Sequence, residues 1–141
     1  MSVQRATVVH ISILAAPKSV VAFLADMENW KTWAPWVQSV TRLSRGHWRL
    51  ESRDGPMTVR FAEPNSLGVL DHEVTLESGV TVFNAMRVVP NGTGSELTMV
   101  VTQHPQMSRE QFEQDVQAVI DDFARLKVAA EAYDSQLAKT L

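Results

Sequence analysis

The sequence predicts an α+β fold in which seven antiparallel strands pack against one long C-terminal helix. Three observations predict it. An alternating strand pattern opens the chain, a series of hairpin turns fills its middle, and apolar residues recur at intervals of three and four from Ser108 onward. A chain of 141 residues has the length of one domain, and we expect residues 1–141 to form a single ligand-binding domain.

The first strand is predicted within residues 5–16, "RATVVHISILAA". Polar His10 and Ser12 alternate there with apolar residues, which is the pattern of a half-buried strand and not of a continuous apolar signal peptide. We therefore expect a strand whose outer face carries His10.

Two short helices are expected after this strand. Pro17 suits the first position of a helix. The segment "NWKTW" predicts a second helix that begins at Asn29 as its cap and ends before Pro35. Trp30, Trp33 and Trp36 lie in or just after this helix, at or near one end of the sheet, and we expect at least two of their rings to be buried in the core.

The middle of the chain predicts hairpins whose registers follow from their turns, because residues paired across antiparallel strands face the same side. A two-residue turn at Asp54-Gly55 would pair Trp48 with Phe61, Leu50 with Val59, and Ser52 with Met57. A turn at Asn91-Gly92 would pair Met86 with Leu97, Asn84 with Met99, and Val82 with Val101, with Arg87 opposite Glu96.

A third hairpin has a three-residue loop, "ESG", with Gly79 in the left-handed conformation. It pairs Leu70 with Met86, His72 with Asn84, and Val74 with Val82. The register of a further hairpin near Arg45-Gly46 stays open, because both of its faces are mixed.

One long amphipathic helix closes the chain. Ser108 and Gln111 form a capping box at its start. Its apolar stripe is Phe112, Val116, Val119, Ile120, Phe123, Leu126, Ala130, Tyr133 and Leu137. Asp121 and Asp122 are expected on the opposite, solvated side.

Composition excludes several classes of function. Lys and Arg number 13 against 16 acidic residues, which leaves no basic stripe for a nucleic acid. The chain has no cysteine, which fits a reducing cytoplasm and removes thiolate metal sites. The scattered histidines predict no metal site, no apolar run is long enough for a membrane span, and no cofactor motif is present.

His72 and Asn84 are the candidate catalytic residues, because the predicted register turns both side chains inward among apolar neighbours. They could bind a ligand carbonyl or hydroxyl, or His72 could transfer a proton. Alternatively, the two side chains satisfy each other or a buried water. His10 and His47 are expected to point outward, and His104 to be a loop residue.

The segments "ISILAAPKSVVAFLADMENWKTWAPWV", "VLDHEV", "NAMRVVPNGTGSE" and "HPQMS", with the terminal helix, resemble the START-like superfamily, also called SRPBCC or helix-grip proteins. That superfamily includes the birch-pollen allergens, START lipid-transfer domains, and the polyketide cyclase/dehydrase group. The resemblance covers essentially the whole chain and implies a sheet curved around the C-terminal helix, with a cavity between them.

One helix cannot cover seven strands, so we also expect space inside the sheet. The residues expected to line it and bind a ligand are Trp33, Trp48, Met57, Val59, Phe61, His72, Asn84, Met86, Met99, Phe123 and Tyr133. The function expected is binding of a small hydrophobic molecule, such as a lipid, polyketide or isoprenoid. The alternatives are a cyclase or dehydratase that uses His72, and a partner-binding domain whose interior is filled. The oligomeric state stays open.

Overall fold

The computed structural model describes residues 1–140. Its strands are β1 (Ala6–Ile13), β2 (Val37–Ser44), β3 (His47–Ser52), β4 (Gly55–Phe61), β5 (His72–Leu76), β6 (Thr81–Asn91) and β7 (Gly94–Thr102). Its helices are α1 (Pro17–Ala25), a 3-10 helix (Met27–Thr32) and α2 (Arg109–Thr140). This confirms the predicted order of elements, including the two short helices after the first strand.

The seven strands form one antiparallel sheet in the order β1-β7-β6-β5-β4-β3-β2. The sheet curves around α2, which confirms the α+β helix-grip architecture. The long helix packs chiefly against β1 and α1, and only slightly against β7. Contacts between α2 and the strands in the middle of the sheet are fewer still.

The start of α2 has the predicted capping box. The Ser108 backbone N–H donates to Gln111 Oε1 at 2.9 Å, and the Gln111 N–H donates to Ser108 Oγ at 3.1 Å. Phe112, Phe123, Leu126 and Ala130 are buried as predicted, but Ile120 is 44 % exposed. Ile120 lies at the margin of the apolar stripe, and Leu137, near the end of the helix, is also 39 % exposed.

The β5–β6 hairpin has the predicted register. His72 pairs with Asn84 and Val74 with Val82, and Gly79 has a φ of +90° in the loop. The Leu70 N–H donates to the Met86 carbonyl at 2.9 Å, so the segment before β5 continues the same alignment.

The predicted registers of two other hairpins are wrong by two residues. Trp48 pairs with Val59 rather than Phe61, and Leu50 with Met57. In the β6–β7 hairpin, Met86 pairs with Met99, and Val88 with Leu97. Consequently Arg87 lies opposite Thr98 and not Glu96; it forms its ion pair with Asp71 at 2.9 Å.

The cause of both errors is the turn conformation. A type I′ turn needs positive φ at both central residues, and neither Asp54 nor Asn91 has one. The turns lie at Arg53–Asp54 and Gly92–Thr93 instead, and Gly55 follows the first with a φ of +107°. A shift of two residues keeps every side chain on its face, so the inward and outward pattern could not reveal the error.

The cap of the second short helix was also wrongly assigned. Asp26, not Asn29, caps it, since Asp26 Oδ1 accepts the Glu28 N–H at 3.0 Å. Asn29 lies inside the helix and donates from its side chain to the Phe23 carbonyl at 3.0 Å. This bond ties the 3-10 helix to α1. Along residues 1–140, no helix has both the length and the apolar character needed to cross a membrane.

Candidate functional site

A pocket of about 640 Å³ lies between α2, the inner face of the sheet and the tryptophan-bearing segment after α1. Its volume is within the range of ~300–1,000 Å³ that is usual for small-molecule sites. Its apolar lining includes Trp30, Trp33, Trp36, Met57, Val74, Val82, Met86, Met99, Val101, Met107, Val119 and Phe123. Its polar lining includes Gln4, His72, Asn84, Thr102, Gln103, His104, Asp115 and Asp122.

The three clustered tryptophans serve both as core and as pocket wall. Trp30 and Trp33 are buried, as expected for at least two of the rings, and Trp30 donates its indole N–H to the Leu24 carbonyl at 2.9 Å. The Trp30 and Trp33 ring centroids are 4.9 Å apart. Trp36 is half-buried and meets Trp30 edge to face. All three tryptophans line the pocket, so the same rings can pack in the core and form part of the pocket wall.

His72 lies in the wall of this pocket and is only 3 % exposed. Its Nδ1 lies 2.9 Å from the Leu70 carbonyl, which can only accept, so Nδ1 carries the proton and Nε2 is the acceptor. Asn84 Nδ2 lies 3.4 Å from Nε2, which makes a long hydrogen bond. The Nε2 lone pair is thus weakly engaged. Trp30 and Phe61 pack against the imidazole ring.

Burial holds the pKa of His72 below its ordinary value, and the Leu70 hydrogen bond and the Asp71 charge offset this only in part. The imidazole is therefore held neutral in the folded protein, with its Nε2 available to accept a proton or a hydrogen bond.

A pH dependence of stability follows from the buried imidazole. Unfolding returns His72 to a pKa near 6.5, so between that value and the lower folded pKa the unfolded chain binds more protons. Stability should fall as the pH falls below about 6.5, with a slope from this group of at most about 1.4 kcal/mol per pH unit. Between pH 7.5 and 5.5, the free energy of unfolding measured with urea should therefore fall less in His72→Gln than in the parent protein. Equal decreases in the two proteins would contradict the lowered pKa of His72.

Asp122 is a site residue that the sequence interpretation placed wrongly on the solvated side. Its side chain is 16 % exposed and lines the pocket. Oδ2 accepts the Trp36 indole N–H at 3.0 Å, and Oδ1 accepts a hydrogen bond from the Arg125 guanidinium. Arg125 also donates to the Trp33 carbonyl at 3.1 Å. This network ties α2 to the tryptophan segment. Asp121, by contrast, is exposed as expected.

Asp115 is a second carboxylate of the pocket that sequence reasoning missed. Asp115 lies on the same face of α2 as Val119 and Asp122. Their i, i+4 and i+7 spacing could have identified it. Its side chain reaches solvent, yet the protein around it raises its pKa by desolvation. Among the described residues, no cation forms an ion pair with it.

Most of the predicted ligand-binding residues line this pocket: Trp33, Met57, His72, Asn84, Met86, Met99 and Phe123. Four do not. Trp48 and Phe61 line a separate pocket of about 370 Å³ near the β2–β3 turn, Val59 is fully buried, and Tyr133 packs on Phe23 with ring centroids 5.2 Å apart. Tyr133 lies too far along α2, where the helix meets α1 instead of the open part of the sheet.

The remaining histidines are placed as follows. His10 is exposed and contacts Glu96, and His47 contacts Arg60 at the hairpin end. His104 is in a loop, as expected, but it also lines the pocket. Within residues 1–140, no three His, Asp or Glu side chains come together to hold a metal ion.

The curved sheet clasping one helix, with a pocket between them, defines a helix-grip protein of the START-like class. The chain belongs to the family described as polyketide cyclase / dehydrase and lipid transport, whose family model matches residues 4–139. Among proteins of curated function, none matches the chain in sequence.

Solved structures share the fold at low sequence identity. A START superfamily protein from Mycobacterium smegmatis has a TM-score of 0.68 and 14% identity, over 94% of this chain and 98% of that one. An uncharacterised protein from Bacillus thuringiensis has a TM-score of 0.70 and 13% identity, over 89% and 98%. DynU16, from the dynemicin biosynthetic locus, has a TM-score of 0.71 and 16% identity, over 89% of this chain and 47% of that one.

Proposed function

We propose that this protein binds a small, largely hydrophobic molecule of lipid, polyketide or isoprenoid type in the pocket between α2 and the sheet. The observation that carries the proposal is the pocket itself: about 640 Å³, walled by tryptophan, methionine and valine side chains, with a few polar groups among them. Unbranched methionine side chains adapt to irregular apolar ligands. Membership in a family that includes lipid transport supports the same class of ligand.

Nile red, an uncharged dye that brightens in apolar surroundings, provides a direct test. We expect saturable binding that also changes tryptophan fluorescence, because three of the four tryptophans line the pocket. An absence of saturable binding would contradict the proposal.

The alternative of a partner-binding domain requires a filled interior, and the pocket gives this alternative no support. The absence of cysteine favours a cytoplasmic location.

Cyclase or dehydratase chemistry is the second candidate, and the weakly engaged Nε2 of His72 favours it. A neutral buried imidazole whose Nε2 lone pair accepts only a long hydrogen bond could orient a ligand hydroxyl or take a proton from it. Asn84, opposite on β6, could hold the same polar group.

The variant His72→Ala separates the two candidates. Binding alone predicts that it retains Nile red affinity within about threefold, because the pocket wall is mostly apolar. Catalysis predicts loss of turnover of a polyketide-type substrate while the fold and dye binding persist. Loss of dye binding together with a collapse in stability would instead mean that His72 and Asn84 are a structural pair. Asn84→Ala is the matched variant on the partner strand.

A further inference from the structure

We infer that the polar end of the ligand is a protonated amine, so that the pocket selects apolar amines over apolar carboxylates. The inference rests on the proposed function, because it concerns the ligand of the same pocket. It narrows the class from any small hydrophobic molecule to one with a cationic group.

The first support is the charge of the pocket lining. Asp115 and Asp122 line it, and no lysine or arginine of the described residues does. His72, which also lines the pocket, supplies no compensating charge, because burial lowers its pKa and holds the imidazole neutral. A ligand carboxylate would therefore meet two carboxylates and no lysine or arginine side chain.

The second support is that only one of the two carboxylates is already paired. Asp122 accepts hydrogen bonds from Arg125 and Trp36. Asp115 has no such partner in the described part of the chain, and its desolvation is uncompensated. An ammonium group beside Asp115 would relieve this cost, because an opposite charge favours the ionised carboxylate.

The third support is the tryptophan wall. The negative face of an indole ring attracts cations, and Trp30, Trp33 and Trp36 all line the pocket that holds the carboxylates. The pocket thus offers an ammonium group aromatic rings as well as carboxylates.

The test is displacement of Nile red by three ligands with the same chain, decylamine, 1-decanol and decanoate, at pH 7.4 and below their micelle-forming concentrations. We expect decylamine to bind about fivefold to tenfold more tightly than 1-decanol, and decanoate to bind most weakly. The variant Asp115→Asn should reduce the amine affinity about threefold and leave 1-decanol unchanged. Asp121→Asn is the control, since it makes the same charge change on the outer side of α2.

The outcomes separate this inference from the proposed function. Decanoate binding as tightly as decylamine would overturn the inference and leave hydrophobic binding intact. An amine preference that Asp121→Asn reduces as much as Asp115→Asn would also overturn it, because the preference would then follow net charge. Failure of all three ligands to displace the dye would overturn both.

Discussion

Gly68→Ala is expected to lower the free energy of unfolding by about 3 kcal/mol or more, or to prevent folding altogether. An added Cβ would lie 1.9 Å from the Val88 carbonyl oxygen, and Gly68 has a φ of +73°. The contact is with backbone, so no side chain can rotate away. Urea unfolding of the variant and the parent protein measures the effect.

Gly79→Ala is the matched control for this prediction. Gly79 also has a positive φ, of +90°, but an added Cβ there would meet nothing within 4 Å. It should therefore show only the conformational cost, about 1–2 kcal/mol. Equal losses in the two variants would contradict the close approach of Gly68 to β6.

Gly68 matters to the site because it docks the segment that leads into β5. Its carbonyl accepts the Val88 N–H at 2.9 Å, and Leu70 continues the pairing to Met86. The Leu70 carbonyl in turn fixes the His72 imidazole. Any Gly68→Ala protein that still folds should thus have a disturbed His72, with a smaller acid-dependent loss of stability than the parent protein.

Met99→Trp is expected to weaken Nile red binding at least about tenfold while the fold persists. Met99 lies on β7, is half-buried and lines the pocket, so a larger ring would occupy the space of the ligand. Tryptophan is well tolerated in strands, and the open volume limits overpacking. Affinity would be measured by dye titration, and folding by circular dichroism and urea unfolding.

The neighbouring position supplies the control. Val100 follows Met99 on β7, points to the opposite face and is 37 % exposed, so Val100→Trp should leave dye affinity unchanged. Val119→Trp fills the same pocket from α2 and serves as a second blocking variant. Unchanged affinity in both blocking variants would show that the dye binds elsewhere, such as the smaller pocket beside Trp48.

The sequence predicted the arrangement of elements well, because periodicity and local signals decide it. The alternation around His10, the capping box of Ser108 and Gln111, and the loop glycine at Gly79 each depend on nearby residues. The inward position of His72 and its pairing with Asn84 followed from one such loop.

The errors arise where two alternative arrangements agree with the same pattern of apolar and polar residues. Two registers that differ by two residues leave a side chain such as Trp48 or Met86 on the same face of the sheet. Only the conformation of the turn therefore distinguishes the correct register from the wrong one. Helix spacing likewise identified an apolar stripe but not its margins. It therefore missed that Asp122 turns inward to Trp36, a contact between residues 86 positions apart.

The central claim, an apolar ligand held between α2 and the sheet, is tested most directly by nuclear magnetic resonance of the methionine methyl groups. The chain has six methionines; Met57, Met86, Met99 and Met107 line the pocket, whereas Met27 is buried elsewhere and Met1 is exposed. On titration with 1-decanol, the four pocket methyl signals should shift together and saturate, while those of Met1 and Met27 stay in place. Saturation without shifts of the four, or equal shifts of all six, would contradict the account.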